Sequence, residues 1–112
     1  MTTLSYRPDA SESGGIAAPV LENALLPAHP NPFNPYTTIE FTLTAPVFVE
    51  LKVFDIRGRL VQTLFAGIAK QGQNMIEWDG LDSKGSSVAS GLYFARMLAK
   101  GEAYTQRLML VR

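Results

Sequence analysis

Cysteine is absent from the 112-residue chain. Without thiols there is no disulfide, no zinc–thiolate centre and no cysteine nucleophile, so the fold must hold by burial and hydrogen bonding. A single histidine, His29, stands among prolines. A Ser–His–Asp triad needs that ring held between an acid and a serine, and nothing in the surrounding sequence positions such partners. Net charge is absent as well, because ten basic residues balance ten acidic ones. That removes any general electrostatic pull towards nucleic acid or an anionic membrane. No apolar run is long enough to span a bilayer. Met1-Thr2-Thr3-Leu4 leads into polar residues, not into the apolar core of a signal peptide. If the domain works outside the cytoplasm, the signal is expected in a longer parent chain. Also missing are a phosphate-binding Gly-rich loop and a surface that interleaves basic and aromatic residues.

What is present divides the chain in two. All seven prolines lie at or before Pro46, and seven of the nine glycines lie between Gly58 and Gly101. Residues 1–27 are rich in Ser, Ala, Gly and Pro and follow neither a helical nor a strand period. They are expected to be a flexible linker, with Val20-Leu21 and Leu25-Leu26 able to pack locally or on a neighbouring domain. Residues 28–112 are then one domain. It begins with His29-Pro30-Asn31-Pro32-Phe33-Asn34-Pro35, in which alternating prolines fix φ and favour extended neighbours. This segment reads as a stiff lead-in anchored by Phe33, in preference to a PxxP ligand.

From Thr37 the period is two. Ile39, Phe41 and Leu43 share one face of a first strand, with Thr38, Glu40 and Thr42 on the other. Val49, Leu51 and Val53 do the same in a second strand, where Phe48 and Phe54 fall on the polar face and suggest that part of it is covered. A hairpin turn with positive φ at Gly58 follows. Further strands are expected at residues 60–65, 73–78, 92–99 and 103–111, with a loop at 67–72. A short strand near Val88-Ala89 would make seven. Asn74 interrupts an otherwise apolar face. Short strands with regular turns and no helical segment indicate an all-β sandwich. Charges such as Lys52, Arg96 and Arg107 are expected to protect its exposed strands.

The organising stretch runs from Trp78 to Tyr93. A strand stops at Asp79-Gly80, a polar loop turns again at Lys84-Gly85, and Gly91 opens a new strand. A large aromatic on each side suggests a crossover that pins two strands to one core. Asp79 and Asp82 read as turn caps in preference to a weak oxygen-ligand ion site, since their spacing does not fit an EF-hand. Tyr36, Trp78, Tyr93, Phe94 and Tyr104 are either core and isolated surface aromatics or a sugar-stacking platform.

Several pieces together carry a resemblance. They are Pro30-Asn31-Pro32-Phe33-Asn34-Pro35, the hairpin Val53-Phe54-Asp55-Ile56-Arg57-Gly58-Arg59-Leu60-Val61, Trp78-Asp79-Gly80 with Asp82 and Gly85, Gly91-Leu92-Tyr93, and a terminal strand ending in a basic residue. The pattern resembles the type A C-terminal sorting domains of proteins exported by the type IX secretion system of Bacteroidetes-type bacteria. It equally resembles the Ig-like domain of the flagellar hook-capping protein, which shares the Trp-x-Gly…Gly-x-Tyr part. The resemblance covers residues 30–112. His29 departs from it, standing where many sorting domains carry Tyr.

The resemblance implies a seven-stranded antiparallel Ig-like, fibronectin-III-like β-sandwich with no catalytic residues, no metal and no cofactor. It implies a monomeric sorting and cell-surface attachment module on a larger cargo, exported through the periplasm to the surface or the medium. Its partners would be the type IX secretion machinery, a sortase-like peptidase and the cargo domain preceding the linker, with no nucleic acid and no membrane span. Export-signal recognition would fall on Gly91, Tyr93, Leu108, Met109, Leu110, Val111 and Arg112. An edge strand and a terminal carboxylate can be captured by strand addition or a backbone nest. The alternatives are a structural Ig-like spacer or assembly module, and a carbohydrate-binding module of a polysaccharide-degrading enzyme.

Overall fold

Alternation of apolar and polar side chains governs which backbone segments pair and which faces they bury. In the computed structural model, which describes residues 22–112, seven strands form two antiparallel sheets. They are β1 (Ala24–Leu25), β2 (Thr37–Leu43), β3 (Val47–Asp55), β4 (Leu60–Ala69), β5 (Gly72–Trp78), β6 (Gly91–Ala99) and β7 (Glu102–Leu110). One sheet has the order β1-β2-β5 and the other β4-β3-β6-β7. The fold is an Ig-like β-sandwich, as the sequence leads one to expect.

The core is the set of inward residues of both sheets. Ile39, Phe41 and Leu43 of β2 are buried, and so are Val49, Leu51 and Val53 of β3. Ala95 and Met97 of β6 and Leu108 and Leu110 of β7 complete the four-stranded layer. Trp78, fully buried at the end of β5, fills the space between the layers. Its ring packs against Phe33 at 5.6 Å and edge-on to Tyr93 at 5.5 Å between centroids.

Some expectations need correction. The sandwich begins before residue 28: Ala24 and Leu25 pair with Thr42 and Phe41, and Leu25 is buried. An apolar side chain over the β2 edge is worth more inside the core than in a linker. Residues 1–21 of the expected linker, including Val20-Leu21, lie outside the described residues. The seventh strand is therefore β1; Val88-Ala89 forms no strand, and the loop there holds only an isolated bridge between Leu81 and Ser87. β4 runs on to Ala69 through the expected loop, because register shifts opposite Leu51/Lys52 and Val53/Phe54 let it follow β3 to its start at Val47. Phe48 is exposed, not covered, whereas Phe54 is half-buried with the Arg96 guanidinium 5.8 Å from its ring centre. Lys52 and Arg96 do not guard an edge, since β3 and β6 are the central strands of their sheet.

The anomaly of Asn74 resolves. Its amide donates to the Lys70 carbonyl (3.0 Å) and the Gly72 carbonyl (3.3 Å), closing the β4–β5 turn. In the lead-in segment the bonds His29-Pro30, Asn31-Pro32 and Asn34-Pro35 are cis. The segment is tied to the sheet by a backbone pair between His29 and Thr38 and by the Thr37 hydroxyl donating to the Pro30 carbonyl (2.8 Å).

Because Trp78 is fully enclosed, Trp78→Ala is expected to destabilise the domain by about 3–5 kcal/mol. Tyr36→Ala, on the surface, is expected to change stability by less than about 0.5 kcal/mol. Urea unfolding followed by circular dichroism measures both.

Candidate functional site

The chain crosses from one sheet to the other between β5 and β6, and the crossing loop closes on itself through short polar side chains. Asp79 Oδ1 accepts from the Leu81 N–H (3.2 Å). Asp82 Oδ1 accepts from the N–H groups of Lys84 (2.9 Å) and Ser86 (3.0 Å). These bonds favour the ionised acid, so the Ser86 N–H first, and then the Lys84 N–H, hold the Asp82 carboxyl below the usual carboxylate range. The hairpin between β3 and β4 uses the same device. Asp55 takes the N–H groups of Arg57 and Arg59 with the Arg59 guanidinium 3.0 Å away, and its carboxyl is also held low, chiefly by the Arg59 N–H.

The loop is then fastened from three directions. Trp78 Nε1–H donates to the Leu81 carbonyl (3.0 Å), and the Tyr93 hydroxyl donates to the Ala89 carbonyl (2.7 Å). Burial pushes the Tyr93 phenol up from its ordinary value, with the Asp55 charge adding to it and Arg112 opposing it. Gln62 of β4 donates to the Asp82 carbonyl (2.9 Å), and the Ser83 N–H donates to the Val61 carbonyl (3.0 Å). The third fastening is Arg112. Its Nε donates to the Val88 carbonyl (2.7 Å), its Nη2 to the Gly80 carbonyl (2.9 Å), and its N–H to the Ser90 hydroxyl (2.8 Å). Gly80 has φ +76°, a conformation that favours glycine, and a Cβ there would lie 2.8 Å from Arg112 Nη2, so a side chain at this position would also push the guanidinium off the loop carbonyls.

The end of β7 is covered on its outer side by the lead-in segment. Asn31 Nδ2 donates to the Arg107 carbonyl (2.8 Å), and the Met109 N–H donates to Asn31 Oδ1 (2.9 Å). The Phe33 N–H donates to the Met109 carbonyl (2.9 Å), and the Val111 N–H donates to the Phe33 carbonyl (2.9 Å). Phe33 thus forms a one-residue parallel bridge to Leu110 while its ring enters the core beside Trp78. Sequence patterning anticipated the anchor at Phe33 but not the side-chain bracket at Asn31. An Asn between prolines, with its own backbone poorly placed to pair, was the available signal.

The candidate residues at this end are brought together, but in unequal states. Tyr93, Leu108 and Leu110 are buried and face the core, whereas Met109, Val111 and Arg112 are exposed. Gly91 pairs with Leu110 across β6 and β7. The aromatic residues do not form a platform, since Trp78 and Tyr93 are inside while Tyr36 is outside. His29 Nε2 lies 3.9 Å from the Glu40 carboxylate on the surface. Among the described residues no group of three or more His, Asp or Glu side chains converges to hold a metal ion, and no helix is long and apolar enough to cross a membrane.

The family model of the FlgD Ig-like domain matches residues 35–102. The chain belongs to this family. No curated protein matches it in sequence. Among solved structures, it is similar to dimeric latent PorU of Porphyromonas gingivalis, at TM-score 0.66 and 22% identity over 88% of this chain and 10% of PorU. It is similar to PorZ of the same organism, a surface component of the type IX secretion system, at TM-score 0.54 and 24% identity over 79% of this chain and 11% of PorZ. It is also similar to FlgD of P. aeruginosa, at TM-score 0.55 and 21% identity over 84% of this chain and 76% of that one. These likenesses are of fold. The chain spans about a tenth of the length of PorU and of PorZ.

The Asp82 cap makes the loop acid-sensitive. Its folded-state pKa is lowered, so its contribution is complete above the ordinary value of 3.8 and is lost as pH falls through the lower folded value. Titration by NMR is expected to give a midpoint for the Asp82 carboxyl below 3.8, with the Ser86 and Lys84 amide resonances moving at the same midpoint. In Asp82→Asn that shared transition should disappear.

Proposed function

We propose that this domain is a non-catalytic sorting and cell-surface attachment module, which directs a larger cargo protein through the type IX secretion system. One observation carries the reading: the fold matches a tenth-length portion of PorU and PorZ, chains of far greater size, and PorZ is a surface component of that system. In this reading the chain rides on a cargo, reaches the periplasm with it and is presented to the export machinery, where a sortase-like peptidase separates the two.

The geometry suggests where recognition falls. Met109, Val111 and Arg112 present side chains at the end of β7, while Leu108, Leu110 and Tyr93 hold that end in shape from inside. Gly91 acts through its pairing with Leu110. The backbone of Met109 and Val111 is already bonded to the lead-in segment, so capture of this end reads side chains, or first displaces residues 31–33. The second reading, a structural assembly module, is favoured by the match to FlgD over most of both chains.

Export separates the two readings. The whole chain is fused behind a periplasmic reporter in a type IX-secreting bacterium, and the medium and cell surface are assayed. Export of the reporter is expected, with loss on Met109→Glu combined with Val111→Glu and no change in thermal unfolding. Deleting residues 108–112 is a poorer test, because it removes two core leucines. A folded reporter retained in the periplasm with the unaltered chain contradicts the sorting reading and leaves the structural one.

A further inference from the structure

The outer face of the β4-β3-β6-β7 sheet has no layer over it among the described residues, because the three-stranded sheet lies on the opposite face. The register shows what it presents, since residues opposite one another in an antiparallel pair share a face. At one end Phe48 stands opposite Ile68, and they are 51% and 69% exposed. At the other end Phe54 lies between Leu60 and Phe94, followed by Leu92 opposite Met109. Between these apolar ends Lys52 stands directly opposite Arg96, and Arg107 is opposite Phe94 one step along.

Two cations paired across central strands are unfavourable to the sheet, and they serve no edge. Glu50 is the one acid among the register positions of this face, and it lies 3.5 Å from Lys52 alone. A shallow groove lined by Glu50, Lys52, Phe54, Arg96 and Leu98 runs over this row. We infer that this face binds an extended acidic polypeptide segment whose carboxylates meet Lys52, Arg96 and Arg107 and whose flanking apolar side chains cover Phe48–Ile68 on one side and Phe54–Leu60 on the other. The outward residues from Phe48 to Phe54 extend about 20 Å along β3, enough for an extended segment of similar length.

Charge complementarity selects this occupant. A lipid surface asks for an apolar patch rimmed by cations, and here the cations lie in the middle. Single-stranded nucleic acid asks for a positively charged groove that tracks its backbone, whereas here the three cations are confined to the middle of the face and Glu50 stands 3.5 Å from Lys52. A second copy of the face would bring like charges together. This assignment stands apart from the sorting reading, since it depends on neither export nor the Val111 and Arg112 side chains.

The test uses fluorescence anisotropy and amide NMR on the whole chain. The probe is a fluorescein-labelled peptide with a Glu pair between Leu-Phe ends. Controls are the same peptide with Lys in place of Glu, and an all-Glu peptide. The expected result is binding of the first peptide alone, weakened by salt, with shifts at Phe54, Leu92 and Phe94. Lys52→Glu with Arg96→Glu should weaken it by about tenfold or more, and Arg96→Gln should weaken it less, both with unchanged thermal unfolding. No binding of the Glu-containing peptide, equal binding of either control, or shifts confined to the β7 edge at Ala103 and Thr105 would overturn the inference.

Discussion

Trp78 is where three separate parts of the chain converge. Its ring lies against Phe33 from the lead-in segment and Tyr93 from β6, and its N–H holds the Leu81 carbonyl of the crossing loop. Burial of so large a ring supplies much of the driving force for joining the layers. The same contacts fix the path of the chain on both sides of the sandwich. With cysteine absent, no covalent link competes for this role.

That arrangement determines the state of the last strand. Phe33 reaches the core only because its backbone is paired alongside Leu110, and Asn31 brackets Met109 and Arg107 from the same direction. Arg112 then binds the carbonyls of the crossing loop. Lead-in, crossing loop and final strand therefore form one locked assembly. An exposed sheet edge is an invitation to strand addition, and here the final part of β7 is already occupied by the chain itself. Recognition of this end, on the sorting reading, depends on the exposed Met109, Val111 and Arg112 side chains and on how firmly residues 31–33 stay in place.

Much of the fold was legible in the sequence because period-two patterning is a local signal. β2 and β3 follow it residue by residue, and the turn at Gly58 announces itself through the glycine. What remained hidden depends on long-range register. β1 is only two residues long, too short for a period, and its existence rests on burial of Leu25 against a distant strand. β4 breaks alternation at its bulges, so its continuation to Ala69 was masked. The cationic row of Lys52 and Arg96 reads as edge protection until topology places β3 and β6 in the middle of the sheet. The terminal residues lie together in space, but their division into core and surface, and the bracket at Asn31, needed the three-dimensional pairing.

Hydrogen exchange along β7 tests the locking of the last strand most directly. Met109 and Val111 face outward and are bonded to residues 31–33. By the alternation of an antiparallel ladder, Ala103 and Thr105 face outward too, on the stretch the lead-in does not cover. The expected result is slow exchange at Met109 and Val111, matching Leu108 and Leu110, beside fast exchange at Ala103 and Thr105. Equally fast exchange at all four outward amides would contradict the locked end and restore β7 as an open edge.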